Sequence, residues 1–306
     1  MQHYLIQRLL LSIPVVLGVT VIVFAILFLT PGDPIRTMAG ERASEERVQE
    51  IRAQLGLDRP WPEQYLRWLG RTMQGDLGIS IAAKRPVVQL IREQLPFTLR
   101  LTLTAMTLGT LLGIILGVIA AVKQHSWLDH LITFTSLFWF SMPGFWLGLM
   151  LMLIFGLWLR WTPISGARGS GALVLPVLTM ALPQMGSLAR LVRTEMLDVL
   201  QDEYIRTAHA KGVPPVWVFY RHALRNALIP VAVLIFLSLP WLLGGAVVVE
   251  SIFAWPGMGR LMYQALNQKD FPVVQGLLLI IALSTVLANL LGDIATALLD
   301  PRIEQA

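Results

Sequence analysis

Few side chains in this sequence are spaced for covalent chemistry. The five histidines, His3, His125, His130, His209 and His222, are the natural general-base candidates, and none falls within a long apolar stretch. Proteolysis inside a membrane would need a serine and a histidine within such stretches. Gly169-Ser170-Gly171 resembles a nucleophile turn, but no base lies near it in the sequence. His125, Asp129 and His130 have metal-ligand chemistry, which a solvated loop explains without a metal. There is no HExxH, no GxxxxGK and no cysteine, so a zincin site, a P-loop and thiol chemistry are all excluded. We expect no catalytic residue, no metal and no cofactor held by this chain.

What remains is chemistry that transmits force. Residues 203–230, EYIRTAHAKGVPPVWVFYRHALRNALIP, form a basic, hydrophilic insert between two apolar stretches. Asp202 and Glu203 at its start and Lys211 at its end suit the two poles of a helix dipole. Ala208 and Ala210 keep one side of that helix thin. Gly212 is placed to leave the helix in a left-handed conformation, and Pro214-Pro215 suits a restart. A second helix is expected over 216–226, running into Ile229-Pro230. A short rigid helix at a membrane face can move with a partner that grips it; a solvated connector is the plainer reading. Arg221 and Arg225 can equally meet acidic lipid head groups.

The elements that position this insert follow from composition. Of 306 residues, 55% are hydrophobic and only 14% charged, with a mean hydropathy of +0.65. A soluble domain carries about a quarter charged residues. The fold class is therefore all-α: a polytopic membrane protein with six transmembrane helices. The net charge of +5 needs no nucleic acid, because Lys and Arg flank membrane spans. The first span, Leu9 to Leu29, would reach ~32 Å as a helix against a hydrocarbon core of about 30 Å. It is too long for a signal-peptide core and reads as a retained anchor. Five more spans are expected at about 97–122, 131–159, 172–192, 230–250 and 272–297, with Pro143, Pro176 and Pro183 kinking the third and fourth. Nine basic residues in the pieces assigned to the cytoplasm oppose four in the short outer loops, which puts both termini in the cytoplasm.

Three units result: an anchor helix at 1–30, an extracytoplasmic helical insert at 31–95, and a five-helix core at 96–306 that includes the cytoplasmic loop 191–229. The insert shows three amphipathic stretches. Ser44, Glu45 and Glu46 start the first, which carries Val48, Ile51 and Leu55 and closes at Gly56. Tyr65, Leu66, Leu69 and Met73 mark the second, and Val88, Ile91 and Leu95 the third. A docking platform for a partner, or a compact linker, accounts for such a unit. No strong internal repeat is visible, which argues against a secondary transporter built from duplicated halves.

Polar residues within the spans have two readings each. Asp293 lies four residues after Asn289 on the same helix face, and a mid-bilayer carboxylate costs ~2.5–3.5 kcal/mol. It either relays protons or touches substrate, or, more simply, pairs with a neighbouring helix or reaches the cytoplasmic surface. Arg100 is expected to snorkel to the outer head groups. Glu250 fits a gate or an interfacial position, Gly244-Gly245 a bend or close packing, and Trp241 and Met262 a pore or an interface.

The insert at 203–230 resembles the cytoplasmic coupling motif of membrane subunits in binding-protein-dependent ABC importers. A small residue, Ala208, is followed four positions later by Gly212, and Ile229-Pro230 ends the motif. RTAxAKG and HALRNALIP are similar to the dipeptide/oligopeptide/nickel permease family in particular. The agreement runs nearly end to end. Thr30-Pro31-Gly32-Asp33-Pro34, Leu55-Gly56-Leu57-Asp58 and Gly75-Asp76-Leu77-Gly78 come early. Phe145-Trp146-Leu147-Gly148, Gly244-Gly245, Phe253-Ala254-Trp255-Pro256-Gly257 and Asp300-Pro301-Arg302 follow in order. The motif's leading Glu-Ala-Ala is replaced here by Arg206-Thr207-Ala208.

The resemblance implies a permease subunit of a prokaryotic inner (plasma) membrane importer, with no enzymatic activity of its own. Its partners would be a second homologous permease, two ATPase subunits that bind ATP and Mg, an extracytoplasmic substrate-binding protein and membrane lipids. It also implies ATPase contact by Glu203, Tyr204, Arg206, Thr207, Ala208, Ala210, Lys211 and Gly212. The substrate path would involve Trp241, Gly244, Gly245 and Glu250, with docking of the binding protein near Asp33, Asp58 and Asp76. Peptides are the first substrate expected; nickel complexes, glutathione and sugars are the alternatives, and a stand-alone secondary transporter is the rival from another class.

Overall fold

The computed structural model describes residues 2–29, 44–46, 48–49, 58–169 and 171–299. Asp33, the later part of the helix expected from Ser44, and the closing Asp300-Pro301-Arg302 lie outside the described residues. Among those described, the protein is helical, with one isolated bridge between Ile79 and Pro86.

The first helix, α1 (Gln2–Leu29), is apolar on every side, and Leu9, Leu10, Leu11 and Ile13 stand more than half exposed. A helix with that surface is stable only in lipid or against partners. Its far end receives α2 (Trp61–Met73), an amphipathic helix with proline in its first turn. Trp61, Tyr65 and Trp68 close on the Phe24 ring at centroid distances of 6.1, 5.6 and 5.7 Å, and the Tyr65 and Thr20 hydroxyls bond at 2.8 Å.

The long helix α3 (Val87–Val122) has 36 residues, about 54 Å at 1.5 Å per residue. The third amphipathic helix expected at Val88, Ile91 and Leu95 is therefore the first part of α3, not a separate element. Leu90 and Ile91 are buried with Val273, Val274 and Leu277 of the last helix. Gly109, Gly113 and Gly117 recur at four-residue steps on α3. A Cβ on them would sit 2.9 Å from the Ala181 carbonyl oxygen, 2.7 Å from Leu188 Cβ and 2.6 Å from the Ala189 carbonyl oxygen. That stripe lets α3 lie backbone to backbone on α6 (Val174–Gln201).

The stretch expected as one kinked span at 131–159 is divided. Helix α4 (Trp127–Ser141) stops at Met142, whose extended backbone (φ −77°, ψ 131°) is what the following Pro143 demands. Helix α5 (Gly144–Leu151) then starts with a turn of 103° and ends in a π-helical segment, Met152–Trp158.

Beyond α6 the chain makes a short helix, α7 (Glu203–Ala210), a turn, and a π-helical segment, Val218–Leu224. This runs without a break into α8 (Arg225–Ile252). The second helix expected at 216–226 is thus the base of α8. A helix not expected from the sequence, α9 (Met258–Asn267), buries Met258, Met262 and Ala265, and α10 (Phe271–Leu299) closes the fold. Four of these helices, α1, α3, α6 and α10, are long and apolar enough to cross a membrane, or five with α4 and α5 counted as one bent span.

Candidate functional site

Helix α7 is built to be seated on one side and open on the other. Asp202 ends α6 in an extended conformation, and its carbonyl accepts the first bonds of α7 from the Ile205 and Arg206 amides (3.1 and 3.3 Å). At the far end Gly212 takes φ +73°, and the Val213 amide bonds back to the Ala208 carbonyl (3.2 Å). This six-to-one closure needs a residue comfortable in the left-handed region, which explains the glycine.

Ile205 and Ala208, 2% and 9% exposed, form the seated face. They join Val192 and Met196 of α6 and Val218, Ala223, Ala227 and Val231 around the base of α8 in one buried cluster. The small Ala208 side chain faces the protein's own core. Glu203, Tyr204, Arg206, Thr207, Ala210, Lys211 and Gly212 remain exposed, flanked by exposed Val216 and Trp217. Asn226 Nδ2 donates to the Tyr204 hydroxyl at 2.8 Å. Helix α7 is thus fastened to α8 by a packed side chain and a hydrogen bond.

Above it, a cavity of about 640 Å³ lies between the α4–α5 break, α6 and α8. Phe140, Met142, Pro143, Thr179, Pro183, Gln184, Ser187, Leu234, Ser238 and Val249 are among its walls, which are mostly apolar. Arg190 stands at its α7 side, its guanidinium carbon 4.4 Å from the centre of the Phe140 ring.

Glu250 sits elsewhere. It is fully buried, its Oε1 accepting from the Thr98 hydroxyl (2.6 Å) and its Oε2 from the Gly259 and Arg260 amides (2.7 and 3.2 Å). The Met258 amide donates to Thr98 Oγ1 (2.8 Å). Oε2 and the Thr98 hydroxyl therefore cap the start of α9, where unpaired N–H groups converge, and Oε1 holds that hydroxyl in place. Asp270 makes a second clasp, accepting from the Ser80 hydroxyl (2.5 Å) and from the Ile81 and Ala82 amides (both 3.1 Å). Gly244 has open space where its Cβ would stand, so no close approach explains it. Trp241 and Gly245 lie on the backbone of α8.

Asp293 pairs with Arg8 of α1 at 3.5 Å, which is the pairing with a neighbouring helix among its sequence readings. Arg100 is exposed on α3. Asp129 is 1% exposed and holds Arg193 of α6 in a two-pronged bond (2.6 and 2.8 Å), so it is committed to an ion pair and not to a solvated loop. Among the described residues no group of three metal-ligating side chains occurs. Asp58 and Asp76 are exposed, and Asp76 Oδ1 accepts from the Gly78 amide. The glycine stripe of α3 and the two clasps escaped the sequence reading. The four-residue glycine spacing was the available signal for the first; nothing local marks the second, whose partners are 152 and 190 residues apart.

The family described as binding-protein-dependent transport system inner membrane component matches residues 113–305, and its N-terminal companion matches residues 1–102. The chain belongs to that family. This binding-protein-dependent permease is similar to the oligopeptide transport system permease protein AppB of Bacillus subtilis (strain 168), 41% identical over 99% of this chain and all of that protein. It is 40% identical to the glutathione transport system permease protein GsiC of Escherichia coli (strain K12), over 99% of each. An inward-facing form of the MetNI methionine ABC transporter shares its fold, with a TM-score of 0.59, 18% identity, and coverage of 69% of this chain and 97% of that one. The permease is thus the membrane component of an ABC importer, and ATP hydrolysis belongs to a separate subunit.

Proposed function

We propose that this permease forms one half of a six-plus-six-span pathway that imports di- and oligopeptides. A second, homologous permease supplies the other half, two ATPase subunits power it, and an extracytoplasmic binding protein delivers the substrate. In this reading α1, α3, the bent α4–α5 pair, α6, α8 and α10 are the six spans, and both termini face the cytoplasm. The peptide substrate is supported by 41% identity along the whole chain to an oligopeptide permease. Glutathione, itself a tripeptide, is the second reading, on 40% identity to a glutathione permease.

The observation that carries the mechanism is the fastening of α7 to the base of α8 through Ile205 and the Tyr204–Asn226 bond. The open face, Glu203, Tyr204, Arg206, Thr207, Ala210 and Lys211, enters a groove of the ATPase. Ala208 lets α7 lie close to the spans, and Gly212 closes its end. When the ATPases move on binding ATP, α7 moves with them and swings α8, which carries Trp241, Gly244 and Gly245 along the path. Residues 31–95, with Asp33, Asp58 and Asp76, receive the binding protein.

Affinity purification of the chain from its native membrane tests this directly. Recovery of two kinds of partner, ATPases and a second permease, with cysteine cross-links from Thr207 or Lys211 to the ATPase, is the expected result. Substrate uptake by the chain alone, without ATPases, would make it a secondary transporter and overturn the proposal.

A further inference from the structure

We infer that Arg190 is the anion-recognising residue of the pathway, binding the carboxylate of a peptide as it leaves the cavity toward the α7 end. The inference rests on the peptide reading above. Thr179, Pro183, Ser187 and Arg190 follow one another at four- and three-residue steps, so they share a face of α6. The first three line the cavity, and Arg190 extends that row toward the coupling helix.

The chain satisfies one of its two neighbouring arginines and not the other. Arg193 is bonded twice to Asp129. Arg190 has no hydrogen bond or carboxylate among the described residues, and its Nε is buried without an acceptor. What holds it is the face of Phe140, itself a cavity wall. Stacking on a ring fixes a guanidinium while leaving its in-plane donors free. A partly buried positive charge near the inner end of a span gains from an anion that meets it. The planar fork of donors matches a carboxylate in two parallel bonds.

Gln184, 8% exposed and also in the cavity wall, turns its amide onto α3, its Nε2 donating to Thr110 Oγ1 at 3.3 Å, so Arg190 is the group left to meet a ligand. A peptide offers Arg190 its missing partner, a terminal carboxylate. Its side chains would face apolar walls that do not choose between them. Recognition by the feature common to all peptides suits a pathway that moves many sequences.

The test uses the complete importer in proteoliposomes, with its binding protein loaded to saturation with trialanine or with trialanine amide. The wild type is expected to take up the free acid about tenfold faster than the amide, the effect of one charge-assisted pair. Arg190→Gln should bring that ratio close to one, and Arg190→Lys, which keeps the charge without the fork, should fall between. An unchanged ratio in either variant overturns the assignment. So does loss of the second permease from purified Arg190→Gln complex, which would mark Arg190 as the partner of a carboxylate on that subunit. Failure of the wild type to move either peptide overturns the peptide reading first, and is distinguishable because no ratio exists to compare.

Discussion

Tyr204 of α7 and Asn226 at the base of α8 are joined by a 2.8 Å hydrogen bond across a separation of 22 residues. A short helix that could swing independently is held to the base of a long one. Ile205, one residue along and 2% exposed, is the packed part of the same joint.

Loosening that joint should uncouple the machine before it stops it. Ile205→Ala removes buried volume at ~2–5 kcal/mol, and Asn226→Ala removes one hydrogen bond at ~0.5–1.5 kcal/mol. In proteoliposomes, uptake per ATP hydrolysed should fall in both, more for Ile205→Ala. A constant ratio in both variants would show that force passes elsewhere.

Glycines on two helices should differ sharply in tolerance. Gly117→Ala drives a methyl to 2.6 Å from the Ala189 carbonyl oxygen, so α3 and α6 must part, at ~1–3 kcal/mol. Gly244→Ala meets nothing within 4 Å and gains helix propensity. Thermal unfolding of the detergent-solubilised complex should show a lower Tm for the first and no loss for the second. A fall of equal size at Gly244 would mean that a partner subunit packs there.

The clasp at Glu250 predicts a stability defect. Glu250→Ala leaves the Gly259 and Arg260 amides and the Thr98 hydroxyl without their acceptor, at ~1–3 kcal/mol for each buried group. Glu250→Gln keeps one oxygen and should cost less. The Tm should fall in the order wild type, Gln, Ala, with the peptide preference unchanged. A changed preference at an unchanged Tm would return Glu250 to the substrate path.

How far these features were legible in the sequence depends on the distance over which they are encoded. The start, length and glycine stop of α7 rest on neighbours along the chain, and the spacing of Asp202, Glu203, Lys211 and Gly212 located them. The apolar blocks of α1, α3, α6 and α10 are long enough to be read directly. The 103° turn was not: Pro143 announces an irregularity, but a proline kink and a broken helix carry the same local signal. Helix α9 was missed because its polar face and ten-residue length resemble a loop, and the apolar face shows its purpose only once Val87 and Leu277 are beside it. Asp129 was misjudged for a similar reason. Its partner Arg193 is 64 residues away, on a different helix.

That pair gives a prediction in which the single change is worse than the double. Asp129 is buried and also accepts from the His125 amide, while Arg193 is about a quarter exposed, so the two charges share a partly dry site. Asp129→Asn leaves a cation facing a neutral amide, at ~3–5 kcal/mol for a fully buried pair and less here because Arg193 reaches solvent. Arg193→Gln alone strands the more deeply buried carboxylate and should cost more. With both changed, an amide pair can hydrogen-bond without either charge, and part of the loss should return. The Tm of the four proteins forms a double-mutant cycle whose coupling sign decides the matter. Simple additivity would mean that the pair only decorates α6, whereas recovery in the double variant makes it the latch that fixes α4 to α6.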